Sequence, residues 1–231
     1  MTAIRKYPRT PHLTGSRIQP GDEDLTQVAA HVLHGLSLVV EEKLDGSNCG
    51  VSFDVSGSLC LQSRGHLLTG GPREKQFDLF KRWANHHTRA LRDILGTRYV
   101  MYGEWLFACH TIPYDQLPHY FIEFDVLDRE EDRFLTTAQR RRLLSGGPIV
   151  SAPIIKTGRI THLESLIARS ACSSSETMEG LYLKHEDENH VINRYKFVRA
   201  SFLQAVEDSG DHWMDRPIEP NRLCEGVDLF S

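Results

Sequence analysis

Apolar and polar residues alternate in short segments near the start of the chain, and this pattern predicts β-strands. Ser37–Lys43 is apolar and β-branched, and Cys49–Val55 alternates with a period of two residues. The pair Asp45-Gly46 between them is typical of a tight turn, and a second turn leads into a strand at Leu59–Ser63. The pattern therefore predicts that Lys43 lies where a strand meets a loop.

Helical and strand patterns are interspersed further along the chain. Apolar residues recur at spacings of three and four from Arg73 to Leu95, which predicts a long helix. Thr136 or Thr137 is suited to cap a second helix, and a third is expected at His162–Arg169. Strands are predicted at Tyr99–Phe107, Tyr120–Leu127, Gly180–His185 and Val191–Val198, followed by a short helix at Ala200–Glu207. Strands interrupted by helices indicate an α+β fold of antiparallel sheets flanked by helices.

The two ends of the chain differ from this central pattern. Two prolines and a glycine within Tyr7–Arg17 predict an extended arm, which we assign to residues 1–20. We expect one domain over residues 1–199, and a short helix and tail over residues 200–231 that pack on the same domain. A content of 40% hydrophobic and 25% charged residues is enough to build the core of such a domain.

Charge and cysteine content restrict the class of protein. The first residues join no basic segment to an apolar run, so we expect no signal peptide, no membrane association and a cytoplasmic location. A net charge of −4 excludes a uniformly basic surface for coating nucleic acid, and leaves room for a local basic groove. The five cysteines form no Cys-x-x-Cys pair, which predicts reduced thiols and no zinc site.

Lys43, which is followed after one residue by Asp-Gly, is the centre of the candidate chemistry. By itself it has an ordinary interpretation as a surface lysine beside a turn. Five further stretches follow it, at Ser63–Gly65, Tyr102–Glu104, Phe121–Asp125, Glu179–Lys184 and Arg194–Arg199. Lysine attacks a phosphoryl group only as a neutral amine, so a nucleophilic role requires a lowered pKa, commonly through nearby positive charge such as a metal ion or other basic side chains.

In this order and at these separations, the stretches resemble the motifs of the covalent nucleotidyltransferase superfamily. The match is best to its ATP-dependent RNA ligase family, of the phage T4 type 2 kind, in which Asn48 has a counterpart at the same offset from the lysine. The resemblance covers Glu41 to about Lys196. It implies a nucleotidyltransferase fold, similar to ATP-grasp, without a C-terminal OB domain, because about thirty-five residues after Lys196 are too few for a five-stranded barrel.

The resemblance also implies a role for each matching residue. Lys43 is the catalytic nucleophile that takes AMP from ATP, Glu104 contacts the ribose, and Phe124 stacks on the purine. Glu104 and Glu179 are the expected ligands of Mg²⁺ or Mn²⁺. The full set of expected nucleotide-binding residues is Glu42, Leu44, Asn48, Arg64, Glu104, Phe124, Glu179, Lys184, Arg194 and Lys196.

Two basic stretches need separate interpretation. The last motif of the family usually contains two lysines, and here the first of these positions is Arg194. Arginine keeps the charge but cannot donate a proton at neutral pH, so we expect slower adenylation. Arg140-Arg141-Arg142 is interpreted as a solvated helix face.

The implied reaction seals RNA ends in three steps. Lys43 accepts AMP from ATP and passes it to a 5′-phosphate, and a 3′-hydroxyl then displaces AMP. The expected partner is nicked or broken RNA, with a polynucleotide kinase as a source of the 5′-phosphate. A DNA nick ligase, a capping-type guanylyltransferase and a nucleotide-binding module that has lost ligation are the alternatives.

Overall fold

A computed structural model describes residues 4–18, 22–172, 178–199 and 217–231. The strands of these segments are, in chain order, β1 (His12–Leu13), β2 (Gln27–Val28), β3 (Ser37–Lys43), β4 (Ser47–Phe53), β5 (Leu59–Ser63), β6 (Tyr99–Trp105), β7 (Phe121–Asp128), β8 (Arg133–Phe134), β9 (Val150–Ser151), β10 (Ile154–Arg159), β11 (Gly180–Glu186) and β12 (Val191–Val198). The α-helices are α1 (Asp78–His86), α2 (Thr88–Leu95), α3 (Thr137–Leu144) and α4 (Leu163–Cys172), and 3₁₀ helices span Ala30–Leu33 and Pro72–Phe77.

The strands form two sheets. The first has the order β10-β3-β11-β12-β1-β2, and the second has the order β5-β4-β6-β7-β8 with β9 beside β7. The long strands pair with one another antiparallel, and each parallel pairing includes at least one of the short strands β1, β2 and β9. The predicted α+β class with antiparallel sheets is confirmed.

The two faces of β3 have different surroundings. Leu38 and Val40 are fully buried in an apolar core that includes Leu163 and Leu166 of α4. Because side chains alternate along a strand, Glu41 and Lys43 lie on the opposite face, toward the second sheet. The period-two pattern of β3 therefore sends its charged residues into the space between the sheets.

The second sheet packs its other face against α1 and α2. Val51 and Phe53 of β4, Trp105 of β6 and Phe121 of β7 belong to a core that includes Trp83 of α1. A smaller cluster between the sheets contains Tyr7, Val100, Tyr102 and Leu127, with Phe124, Phe134 and Tyr182 packed against it. The candidate chemistry therefore lies between two sheets, each supported by an apolar core.

Two glycines of the motifs allow close backbone approach. A Cβ at Gly46 would lie 2.6 Å from the carbonyl oxygen of Trp105, and a Cβ at Gly180 would lie 1.8 Å from that of Phe197. No side chain fits at either position without moving a neighbouring strand. The glycines after Asp45 and Glu179 are therefore required by packing.

The structure corrects several details of the sequence prediction. The long helix predicted from Arg73 to Leu95 is divided into a 3₁₀ helix, α1 and α2, with a break at His87. The strand β10 was not predicted, nor were the two-residue strands β1, β2, β8 and β9. Thr136 or Thr137 was expected to cap α3, and Thr136 does so in a capping box with Gln139. The helix expected at Ala200–Glu207 lies outside the described residues.

Both ends of the described chain pack on the domain. The arm is extended through Pro11, where its carbonyl oxygen accepts a hydrogen bond from Lys196 N–H at 2.9 Å. Residues 217–231 run beside the segment after β6, where Asn221 N–H donates to Phe107 O at 2.8 Å. Within the described ranges, no helix is long and apolar enough to span a membrane.

Candidate active site

Lys43 lies at the end of β3 and donates a hydrogen bond from its ammonium group to Glu179. Glu179 directly precedes β11, and its side chain is 3% exposed, compared with 20% for Lys43. β3 and β11 are neighbouring antiparallel strands, with Lys43 opposite Gly180, so the contact follows from strand register. The structure thus brings together two motif residues 136 positions apart.

Carboxylates determine the electrostatics around this lysine. Burial lowers the pKa of Lys43, but Glu179 and Glu104 outweigh it, so the pKa is raised above its usual value. Burial raises the pKa of Glu104 to about 8, against the opposing charge of Lys43 and with the support of Glu179. Sequence reasoning required a lowered pKa for an attacking lysine. The structure shows the opposite direction, because the nearest charged neighbours of Lys43 are carboxylates.

Glu104 reaches the site from the second sheet. It lies on β6 directly opposite Asn48 of β4, so two predicted site residues share one cross-strand pair. Arg64 is exposed just after β5, and its charge acts to lower the pKa of Glu104 against the larger effect of burial. The sheet pairing therefore places Asn48 and Glu104 together, with Arg64 at the rim.

The turn that follows Lys43 is held by a segment that sequence reasoning missed. Asp45 is buried, and one of its carboxylate oxygens accepts hydrogen bonds from the backbone N–H groups of Thr111 and Ile112 at 2.8 and 2.9 Å. The N–H of Asp45 donates to the hydroxyl of Tyr114 at 2.9 Å. The sequence pointed to this segment only indirectly. A buried aspartate in a turn requires hydrogen-bond donors that its own strand does not supply, so another segment had to provide them.

A cavity of about 270 Å³ opens beside this turn. Its walls combine Glu42 and Leu44, on either side of Lys43, with parts of three other segments. Those lining residues are Tyr114, Asp115, Gln116, Leu117, Pro118, Ile122, Val150, Ser151 and Pro153. Burial raises the pKa of Glu42. The cavity therefore joins apolar walls to a few polar groups, which suits a planar heterocycle better than a highly charged group.

Lys196 lies near the site but has a carboxylate partner just after the arm. Its ammonium group donates to Asp22, which also lies 3.3 Å from Nε2 of His12. Burial lowers the pKa of Lys196, with Lys43 adding to the decrease and Asp22 opposing it. From the predicted last motif, Lys196 is thus a buried cation close enough to interact electrostatically with Lys43.

Lys184 and Arg194 lie elsewhere, in a buried ion network. The side chain of Lys184 is fully buried, 2.8 Å from Glu41 and 3.2 Å from Asp125. Arg194 Nε donates to Asp125 at 2.8 Å, and its guanidinium group lies 3.7 Å from the centre of the Phe134 ring. The structure therefore places both expected phosphate-binding side chains among carboxylates.

Arg140 completes this network and corrects the interpretation of the three consecutive arginines. Its side chain is fully buried and donates hydrogen bonds to Glu41 and, at 2.5 Å, to Glu123. Arg141 and Arg142 are exposed at the outer side of the helix, whereas Arg140 has no exposed surface. The solvated helix face is wrong for Arg140, because α3 packs its buried side against the carboxylates of β3 and β7.

Phe124 is half-buried and packs against the arm. Its ring centroid lies 5.1 Å from that of Tyr7 at an interplanar angle of 82°, an edge-to-face contact. The ring of Tyr182 lies 6.1 Å away. Phe124 is therefore outside the lining of the cavity, although Ile122 of the same strand contributes to it.

Glu104 and Glu179 are the candidate ligands of a divalent cation. Both carboxylates raise the pKa of Lys43. The pKa of Glu104 is itself raised partly because Glu179 and Asp45 repel its negative charge. This excess of negative charge fits a cation that takes two carboxylates and completes its shell with water, as Mg²⁺ commonly does. Among the described residues, no group of three or more His, Cys, Asp or Glu side chains is arranged around one point.

The chain matches the model of one known protein family. The family model for RNA ligases matches residues 36–198, well over half of the chain. The chain belongs to the RNA ligase family. All the motif residues of this RNA ligase family member, from Lys43 to Lys196, fall within the matched range.

Solved structures of Naegleria gruberi RNA ligase resemble this family member. The structure with PPi is 20% identical, with a TM-score of 0.56, and covers 77% of this chain and 54% of that one. Two variants of the same ligase, one with ATP and Mn and one with AMP and Mn, are each 19% identical with TM-scores of 0.56 and 0.57. They cover 77% of this chain and 53% and 54% of their own. At this identity the likeness concerns the fold, and this chain spans about half the length of those structures.

No curated protein sequence matches this RNA ligase family member significantly.

Proposed function

We propose that this protein is an ATP-dependent RNA ligase that works through a covalent lysyl-AMP intermediate on Lys43. The observation that carries the proposal is the position of Lys43 within a matched RNA ligase domain, between Glu179 and Glu104 and beside a cavity lined by Glu42 and Leu44. The proposed nucleophile and a cavity that could hold a nucleobase therefore lie side by side in a domain that matches RNA ligases.

The proposed chemistry begins with Lys43. Its amine attacks the α-phosphorus of ATP, an N–P bond forms, and the bond to the pyrophosphate oxygen breaks. AMP then passes to the 5′-phosphate of an RNA end, which releases the lysine. A 3′-hydroxyl attacks this activated phosphate, seals the strand and expels AMP.

Lys43 must lose a proton before it attacks. In the structure its ammonium group donates to Glu179, which keeps the lysine charged and orients it. A divalent cation held by Glu104 and Glu179 would supply positive charge beside the phosphates and weaken the hold of these carboxylates on the ammonium. The proposed role of Glu104 and Glu179 is to position the Lys43 nitrogen and to hold the cation beside it.

The remaining predicted residues have distinct proposed roles. Glu42 and Leu44 border the purine, Asn48 and Glu104 lie on the ribose side, and Arg64 stands at the rim where substrate enters. Lys196 is the proposed phosphate contact of the last motif. When it binds the phosphate, its ammonium group either leaves Asp22 or contacts both groups. We assign Lys184 and Arg194 a supporting role, because their charges are already matched by buried carboxylates. Stacking of Phe124 on the purine remains a prediction, which Phe124→Leu tests through ATP affinity.

Radiolabelled ATP tests the nucleophile. Incubation with α-labelled ATP and Mg²⁺ or Mn²⁺, followed by denaturing electrophoresis, is expected to give labelled protein that Lys43→Ala abolishes. Lys156→Ala, on the exposed edge strand β10, is the matched control and is expected to label like the wild type. Radiolabelling of Lys43→Ala at the wild-type level would contradict the proposal.

Matched substrates test the reaction class. Nicked RNA with 5′-phosphate and 3′-hydroxyl ends is expected to be sealed faster than the same nick in DNA. Faster sealing of DNA would indicate a DNA nick ligase, label from GTP would indicate a guanylyltransferase, and ATP binding without label would indicate a module that has lost ligation.

The cellular setting proposed for this activity follows from its substrate. RNA breaks that lack a 5′-phosphate need a polynucleotide kinase first, so we propose such an enzyme as a partner in RNA repair in the cytoplasm. Copurification or coupled repair of 5′-hydroxyl ends in a reconstituted mixture tests this partner.

A further inference from the structure

The tail after residue 217 is paired with the segment that follows β6. Backbone N–H and C=O groups are joined at 2.8–3.0 Å between Cys109 and Glu219, Phe107 and Asn221, Leu117 and Arg222, and Leu117 and Cys224. The tail therefore holds this segment near both of its ends.

Asn221 is the side chain at the centre of this pairing. It is 4% exposed, its Oδ1 accepts from the N–H of Tyr114 at 2.9 Å, and its Nδ2 donates to Leu106 O at 2.8 Å. Its own carbonyl oxygen accepts from the hydroxyl of Tyr120 at 2.7 Å. A buried amide that is hydrogen-bonded in this way fixes its neighbours in one arrangement, because any shift leaves a buried group unpaired.

The segment held by Asn221 forms part of the candidate active site. The hydroxyl of Tyr114 accepts from the N–H of Asp45, two residues after Lys43, and Thr111 and Ile112 donate to the Asp45 carboxylate. Tyr114 and its successors line the cavity beside Glu42. A continuous chain of hydrogen bonds thus links Asn221 through Tyr114 to the turn that follows the nucleophile.

We propose that Asn221 is a positioning residue for ATP, which rests on the proposed function. Through Tyr114 it fixes one wall of the nucleotide cavity and the turn at Asp45, so the C-terminal tail completes the site. Loss of the Asn221 side chain frees this wall, and ATP must then order it on binding.

The test is the ATP dependence of Lys43 labelling in Asn221→Ala. We expect the ATP concentration for half-maximal labelling to rise about tenfold, as for the loss of one or two buried hydrogen bonds that bear on binding. The labelling rate at saturating ATP is expected to stay within about twofold, because Asn221 touches no reacting atom. Glu219→Gln, an exposed position in the same tail, is the control and should keep the wild-type curve.

A merely structural role predicts a different result. It would lower the melting temperature of Asn221→Ala and leave the half-saturating ATP concentration unchanged below that temperature, which would overturn the proposal. If Asn221→Ala does not fold, Tyr114→Phe serves, because it keeps the ring and removes the hydroxyl through which the wall held by Asn221 reaches the N–H of Asp45. A raised half-saturating ATP concentration in that variant supports the proposal, and an unchanged curve overturns it.

Failure of the proposed function is seen separately. Absence of label in the wild type would refute the ligase chemistry, and equilibrium binding of ATP to wild type and Asn221→Ala would then test the positioning role by itself.

Discussion

Arg194 and Asp125 form a buried ion pair, with Arg194 Nε donating to a carboxylate oxygen of Asp125 at 2.8 Å. The same oxygen accepts from the hydroxyl of Tyr7 at 2.5 Å, so the arm and the last motif meet on one carboxylate. Burial alone would raise the pKa of Asp125, but Lys184 and Arg194 outweigh it and lower the pKa to about 2. The arginine in place of the usual lysine therefore has a structural partner.

Substitution of Arg194 by lysine is expected to reduce stability. A lysine loses the planar stacking on Phe134 and the fixed direction of the Nε donor, which together are worth about 1–2 kcal/mol. Thermal unfolding of Arg194→Lys measures the loss, and Arg89→Lys on an exposed face of α2 is the control. An unchanged melting temperature would show that Asp125 is satisfied without the guanidinium group.

Arg140 is expected to be the most sensitive of the three consecutive arginines. Arg140→Met leaves Glu41 and Glu123 buried with fewer positive partners, which costs about 3–5 kcal/mol when one member of such a network is removed. Arg141→Met, on the neighbouring position of the same helix, is the control and is expected to lose much less, because Arg141 donates to the carbonyl oxygen of Ala152 and, within the described residues, to no buried carboxylate. Chemical denaturation of both variants measures the difference, and equal stabilities would contradict the buried network.

The raised pKa of Glu104 predicts a pH dependence of stability. A glutamate in the unfolded chain releases its proton near its ordinary pKa of 4.5, whereas the folded protein holds that of Glu104 to about pH 8. Because the folded state binds the proton more tightly, the contribution to stability is complete below the unfolded value and is lost as the pH rises toward the folded value.

Replacement of Glu104 by glutamine removes this dependence. The melting temperature of the wild type is expected to fall relative to that of Glu104→Gln between about pH 5 and about pH 8. Glu188→Gln, exposed in the turn between β11 and β12, is expected to follow the wild type. Parallel curves for wild type and Glu104→Gln would show that Glu104 titrates normally.

The ion pair with Glu179 predicts the charge state of Lys43. Glu179→Gln removes the largest attraction and leaves burial in place, so the pKa of Lys43 should fall below its wild-type value. Titration of the lysine side chains by NMR, with Lys43→Arg to assign the signal, measures this change. A Lys43 signal that titrates at the same pH in both proteins would contradict the contact.

The local elements of this fold were predictable because each depends on neighbouring residues. Ser37–Lys43, Leu59–Ser63 and Val191–Val198 match their predicted strands, since period-two burial and turn residues act over a few positions. The break at His87 was missed because both halves keep an amphipathic pattern across it. β10 was missed because five of its six residues are exposed, so it has no apolar alternation.

The sequence by itself determined the strand that carries Lys43, the order of the motifs and the resemblance to RNA ligases. Only the tertiary structure decided that Arg140 is buried, that Lys196 meets Asp22, and that Asn221 reaches the turn at Asp45 through Tyr114. The physical reason is that alternation along a strand fixes the face on which a charge lies, whereas its partner depends on which distant strands and loops become neighbours.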